Sequence, residues 1–173
     1  YKEPKTLNFI IKGLNFSLNI KSDLKHQYPM QHNKIDWEYI TKFELVPNTS
    51  LNLKWFHSNF LCLRSLISLM MGSLTLFTDF RGKDDNGNTI HIYYHQSYSS
   101  RKFDLRRHSI LMTFQDIKQD FGNVLNVWFQ KKELLQPIRD LYFANIYHDN
   151  TFLDFQFLSF VQILESLHRR TME

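Results

Sequence analysis

The sequence predicts an α+β fold: an antiparallel sheet with one packed amphipathic helix, followed by a C-terminal helical segment. Apolar and polar residues alternate through most of the first 45 positions, which is the period of half-buried strands. Apolar residues recur at helical spacing between 53 and 70, and again after 116. The chain has 173 residues, 43% of them apolar, which suffices for a filled core and excludes the disordered class.

Three strands are expected before the first helix. Residues 7–11 and 14–20 alternate on either side of a glycine and predict a hairpin. Residues 21–34 are polar and predict a loop. Residues 35–45 alternate again and predict a strand that Pro47 ends.

The predicted central helix begins at N-caps offered by residues 48–50 and runs to Met71, with Gly72 placed to end it. Its apolar residues step by three and four and are expected to pack on the sheet; they are Leu53, Phe56, Phe60, Leu63, Ile67 and Met70. Cys62 is the single cysteine, so we expect a buried structural thiol in a reducing, cytoplasmic setting.

Two further strands are predicted at 74–80 and 89–95, joined through a type I′ turn at Asn86-Gly87, and a last short strand at 109–114. Beyond 116 the pattern predicts a helix over 122–135. Pro137 is then expected in the first turn of another helix, which reaches Tyr147.

A final helix is expected after a capping box formed by Thr151 and Asp154. Its predicted apolar stripe consists of Phe157, Phe160, Val161, Leu164 and Leu167. We place a domain boundary near residue 150, so that 1–150 form a β-rich domain and 151–173 begin a helical one. Only three residues follow Arg170, so we expect this helix to find its partner in a downstream helical domain or a second copy. The predicted interface residues are Phe152, Phe155, Phe157 and Phe160.

Local motifs predict no cofactor and no metal. The five glycines form no phosphate-binding loop, and one cysteine without an HExxH motif excludes the usual zinc sites. His91 and His95 are interpreted as surface residues on a strand, and Asp84 and Asp85 as turn formers. The apolar stretch 60–77 is interrupted by Arg64, serines and a glycine, so no membrane span is expected.

Two charged groups are candidates for function. The formal charge is +4, and a basic patch that could bind RNA or a partner, or form a solvated loop, consists of Arg101, Lys102, Arg106, Arg107 and His108. Glu165 and His168 share a face of the final helix beside Arg169. These three are catalytic candidates, and an exposed polar face is the alternative interpretation.

The segments 110–117, 124–137 and 157–169 resemble the end of the N-terminal domain of ApeA-type antiphage HEPN proteins and the first helix of their HEPN domain. The run Asn-Phe-Leu-Cys-Leu at 59–63 is similar to that domain's central helix. The resemblance covers about 35–173.

The resemblance implies a bacterial abortive-infection ribonuclease, in which a β-rich domain senses or restrains and a dimeric HEPN domain cuts RNA. HEPN cleavage uses an arginine and a later histidine that are separated by four to six residues. Arg101 and His108 fit that spacing by count, but they precede the helical region and are interpreted as a chance match. The implied partners are a HEPN domain in cis or a second copy, RNA, and a phage protein as trigger.

Three hypotheses follow. The chain is a non-catalytic sensor or regulatory portion of such a ribonuclease, or a free-standing module that binds RNA or protein through its basic patch. In the third, Glu165 and His168 belong to an active site completed by residues outside this chain or by a second chain.

Overall fold

The computed structural model describes residues 5–27, 36–93, 110–147 and 152–172. Its elements are β1 (Lys5–Ile11), β2 (Phe16–Gln27), β3 (Asp36–Pro47), α1 (Leu53–Met71), β4 (Arg81–Lys83), β5 (Thr89–His91), α2 (Phe114–Ile117), α3 (Phe121–Gln130), α4 (Lys132–Tyr147) and α5 (Leu153–Met172). This is the predicted α+β class. The chain divides into two compact units, Tyr1–Phe56 and His57–Glu173. In the described ranges no helix is long and apolar enough to cross a membrane.

The three long strands form an antiparallel sheet in the order β1-β2-β3, which confirms the predicted hairpin and third strand. One face is apolar because the register aligns apolar residues across strands: Phe9 pairs with Leu18, and Leu18 with Leu45. The next row joins Ile11 to Phe16, and both are buried.

The other face of the sheet carries a polar ladder. The Asn8 amide donates to Asn19 over 2.6 Å, and Asn19 donates to Glu44 over 3.3 Å. Lys21 closes the ladder with an ion pair to Glu44 at 2.8 Å. The predicted loop at 21–34 is therefore wrong over 21–27, where β2 continues and its backbone pairs with β3. Residues 28–35 lie outside the described residues.

Helix α1 begins later than predicted. The side chain of Asn52, rather than of residues 48–50, accepts a hydrogen bond from the backbone N–H of Trp55 at 3.0 Å. The predicted end at Gly72 is confirmed. Gly72 has φ +65°, and the N–H of Ser73 reaches the carbonyl of Ser68 at 3.1 Å, which is a Schellman ending.

The predicted stripe of α1 is buried in its middle but not at its start. Phe60 and Leu63 are buried, whereas Leu53 is exposed because it is the first helical residue. The Phe60 ring lies 4.6 Å from Phe77 and 4.5 Å from Phe80 between ring centroids.

The segment after α1 is not the predicted strand at 74–80. Its backbone bonds to side chains of the helix instead: the Arg64 Nε donates to the Thr75 carbonyl at 2.9 Å, and the Thr75 N–H donates to Ser68 Oγ at 3.0 Å. The strand forms later, as β4, and pairs with β5. The part of the second predicted strand at 94–95 lies outside the described residues.

The turn between β4 and β5 is not type I′. Gly87 has φ +83°, but Asn86 is not among the residues with positive φ. Asp84 holds the turn, because its carboxylate accepts the N–H of Asn86 at 3.0 Å and of Asn88 at 2.7 Å. The hydrogen bonds from Asn88 lower the pKa of Asp84. Asp84 is thus a turn former, as predicted.

The helical part departs from prediction in two places. Over 110–113 there is no strand, and α2 begins at Phe114, where the Asp116 carboxylate accepts the Thr113 N–H at 2.7 Å. The predicted helix over 122–135 divides at Lys131. Helix α4 begins at Lys132, directly after it, and the N–H of Leu135 already bonds to the Lys131 carbonyl at 2.9 Å. Pro137 therefore lies inside α4 rather than in its first turn. The predicted end at Tyr147 is confirmed.

Phe60→Ala should lower the free energy of unfolding by about 3–5 kcal/mol, because it empties an aromatic site enclosed by two other rings. The matched control is Leu61→Ala at the neighbouring exposed position, where a loss below about 1 kcal/mol is expected. Urea denaturation measures both. Equal effects of the two substitutions would show that Phe60 is not a core residue.

Candidate interaction surface

Helix α5 packs on α4 through a narrow face. Ser159 and Ile163 are its buried residues, and the small Ser159 allows close approach of the two helices. One turn from the C-terminus, the Arg170 guanidinium donates to the Leu134 carbonyl of α4 at 3.1 Å. These contacts lie along one side of the helix and leave the rest uncovered.

The uncovered side of α5 is apolar. We call it the α5 open face, and it consists of Leu153, Phe157, Phe160, Val161 and Leu164. Phe157 is 66% exposed and Leu164 65% exposed. At about 100° per residue these five project within roughly one third of the helix circumference, next to the side that contacts α4. Phe160 marks the border, with its ring centroid 6.2 Å from that of Tyr142 on α4. Partial burial raises the pKa of Tyr142.

The four predicted interface residues are all exposed in the structure. Phe157 and Phe160 lie on the open face, Phe155 projects from another side of the helix, and Phe152 precedes the first turn. Leu167, which the sequence placed on the same stripe, is only half-buried beside the α4 contact. Exposed apolar surface of this extent marks interaction sites in most proteins that carry it.

The catalytic candidates on α5 form a surface ion pair rather than an assembled site. The Arg169 guanidinium bonds to the Glu165 carboxylate at 2.6 Å, four residues back along the helix, and both side chains are mostly exposed. Such a pair contributes only about 0.3–0.5 kcal/mol. His168 is exposed on the neighbouring side of the helix.

The remaining candidates differ in how far the structure describes them. The basic patch from Arg101 to His108, and His95, lie outside the described residues. An open groove of about 410 Å³ at the β1–β2 turn is lined by amides, a lysine and apolar residues, including Asn8, Ile10 and Asn48, and by no carboxylate or histidine. Among the residues that the structure describes, no three His, Cys, Asp or Glu side chains group closely enough to hold a metal ion.

The sequence did not reveal a polar cluster that joins α1, α3 and α4. Trp128 donates its indole N–H to the carbonyl of Cys62 at 2.9 Å. Arg139 donates to the Cys62 thiol at 3.3 Å, and its guanidinium carbon lies 5.8 Å from the Trp128 ring centroid. No local motif pairs an arginine on one helix with a cysteine 77 positions earlier.

Two further contacts complete the cluster. Arg139 donates to the Lys132 carbonyl at 3.0 Å, and Lys132 donates to the buried Asn59 amide at 3.3 Å. Burial raises the pKa of the Cys62 thiol, while Arg139 and Lys132 oppose that shift. The predicted buried structural thiol is confirmed.

Fold and surface together define an α+β module with an exposed helix face and, in its described ranges, no assembled active site. The family model of ApeA N-terminal domain 1 matches residues 1–128, and the chain belongs to that family. The match includes the first 34 residues, to which the sequence resemblance did not extend, and it ends inside α3, before α5. Membership associates the chain with antiphage defence proteins. No curated protein and no solved structure matches it.

The raised pKa of Cys62 has a consequence for stability. Above the ordinary thiol value of 9.0 the unfolded chain loses its proton before the folded chain does, so the free energy of unfolding should fall as pH rises. We expect this loss in the wild type relative to Cys62→Ala, measured by urea denaturation at about pH 7.5 and about pH 10. Tyr142 titrates in both proteins and cancels in the difference. A difference that does not change with pH would contradict the prediction.

Proposed function

We propose that the chain is the non-catalytic sensor or regulatory portion of a bacterial antiphage HEPN ribonuclease, and that the α5 open face joins it to a helical partner. Family membership supports the defence context. The observation that carries the proposal is the open face itself, five apolar side chains on a helix that already packs on α4 through its neighbouring side. A helix with so much exposed apolar surface gains stability when a partner covers it.

The titratable groups support the non-catalytic part of the proposal. Cleavage of RNA without a metal needs a general base and acid within reach of one phosphodiester. Glu165 is held by Arg169 on the surface, Asp84 by its own turn, and Cys62 is enclosed between helices. These groups lie on three different elements and do not converge.

A regulatory role also needs a connection between the β-rich part of the family domain and the open face. The Arg139 cluster ties α1 to α4, and Arg170 ties α5 to α4. We infer that a displacement of α1 caused by a bound trigger reaches α5 through α4. Packed helices transmit such displacements because their cores are dense.

The purified chain should therefore not cut RNA. Total RNA incubated with it, with and without divalent metal, should stay intact, because the described titratable groups named above do not converge on one site. Cleavage that follows the protein peak through purification and disappears in Arg101→Ala or His108→Ala would overturn the proposal and assign catalysis to the basic patch.

The defence role predicts a phenotype. Expression of the gene that encodes this chain in a bacterial host should lower phage plaquing, and Phe157→Asp should restore plaquing by placing a charge on the open face. Gln162→Asp, outside the open face on the same helix, is the matched control and should keep protection. Protection that survives Phe157→Asp would remove the open face from the function.

A further inference from the structure

The two edges of the three-stranded sheet differ in how they are protected. Strand β3 contains Lys42 and Glu44 and ends at Pro47. Strand β1 contains no charged residue and no proline from Thr6 to Ile11. Charged side chains and proline are the usual means by which a protein keeps an edge strand from pairing with another chain. The edge of β3 therefore carries this protection, and the edge of β1 does not.

The edge of β1 presents backbone groups in a fixed register. In the part of the chain that the structure describes, β1 has a neighbouring strand on one side only. Every second residue of an antiparallel ladder turns both its N–H and its C=O away from the partner strand, so β1 directs alternate donors and acceptors outward. The Asn8 amide donates to Asn19 at 2.6 Å and ties β1 to β2. A backbone with the same alternation of donors and acceptors matches this edge.

The edge ends at the open groove of about 410 Å³ at the β1–β2 turn. The groove is lined in part by Ile10, which is 70% exposed, and by Asn15 and Asn48. The Asn48 N–H donates to the Asn15 carbonyl at 3.0 Å and holds the turn against the end of β3. Among the described residues that line the groove, Lys12 is the only charged one, and it is exposed. A ligand in the groove therefore meets apolar surface, amide groups and one positive charge.

We propose that the edge of β1 binds an extended peptide segment of a partner protein by strand addition. The peptide lies antiparallel to β1, which is the more stable orientation. One of its apolar side chains lies beside Ile10, because opposed residues share a face of the sheet, and an acidic residue near its start lies beside Lys12. Strand β1 has seven residues and spans about 23 Å, which suits a peptide of similar length.

Charge distinguishes such a peptide from a second copy of this strand. Residues 5–12 contain no Asp or Glu, so the β1 edge of another copy offers no carboxylate to Lys12. The β1 edge is a different surface from the α5 open face, and peptide binding there does not depend on the proposed function.

Selection on the purified chain with a phage-displayed library of random heptapeptides tests the proposal. Enriched peptides should bind the wild type, and Ile10→Glu should raise their Kd by roughly tenfold or more, because a charge then replaces an apolar contact. Val46→Glu is the matched control and should leave the Kd unchanged. Ile10 and Val46 both pair with Ser17 and are both exposed, but they lie on opposite edges of the sheet.

N-methylation of the enriched peptide tests strand addition without changing the protein. A methyl group removes one N–H, so methylation should abolish binding at the alternate residues whose N–H faces β1 and should be tolerated at the residues between them. Replacing the acidic residue of the peptide by its amide should weaken binding to the wild type and have little effect on binding to Lys12→Gln.

Three results would overturn the proposal. They are a selection without enrichment, equal affinity of the enriched peptides for Ile10→Glu and Val46→Glu, and a methylation series without alternation. Dimerisation that Ile10→Glu abolishes, in the absence of peptide binding, would also overturn it and assign the edge to a second copy. Phe157→Asp should leave peptide binding unchanged, so the plaquing test of the α5 open face succeeds or fails independently.

Discussion

The helical part of the chain depends on a half-buried arginine. Arg139 bonds to the Cys62 thiol of α1 and to the Lys132 carbonyl at the start of α4, and it lies against the Trp128 ring of α3. Withdrawing a guanidinium from water is costly unless its donors are used, and here neutral groups from two helices and an aromatic face use them. Removing the Arg139 side chain would leave the Cys62 thiol beside a space that fits a cation and that no cation fills. The position of α4 follows from these contacts, and α5 is added to α4.

The packing of α5 explains why its apolar surface stays open. Ser159 and Ile163, which are small and medium in size, are the buried residues of α5. Phe160 lies at the border of the α4 contact, beside Tyr142, and Phe155 and Phe157 lie on other sides of the helix. Had phenylalanines faced α4, the helices would stand farther apart and Arg170 would not reach the Leu134 carbonyl. Close approach within the chain and exposure of the large residues are therefore two results of one sequence pattern. A helical partner on the open face would cover those residues without disturbing α4.

Alternation and periodicity predicted the parts of the fold that depend on burial alone. The three strands, the middle of α1 and its glycine ending all follow from apolar spacing and one positive φ at Gly72. The strand prediction failed where side chains, rather than a neighbouring strand, bond to the backbone. At Thr75 the backbone N–H bonds to the Ser68 side chain of α1 instead of to a paired strand. Prediction also failed where contacts are distant in sequence, as between Cys62 and Arg139. The number of phenylalanines in the final helix predicted an exposed apolar face. The sequence did not predict where that face ends beside α4, which Ser159 determines.

The central claim is that the α5 open face binds a helical partner. Because Cys62 is buried and is the single cysteine, a thiol introduced on α5 is the one that a thiol reagent reaches. Val161→Cys places that thiol on the open face, and Gln162→Cys places it on another side of the helix. In a bacterial host that expresses the gene encoding this chain, a membrane-permeant maleimide should modify Val161→Cys more slowly than Gln162→Cys, because the partner covers the open face. Equal rates of modification would contradict the account.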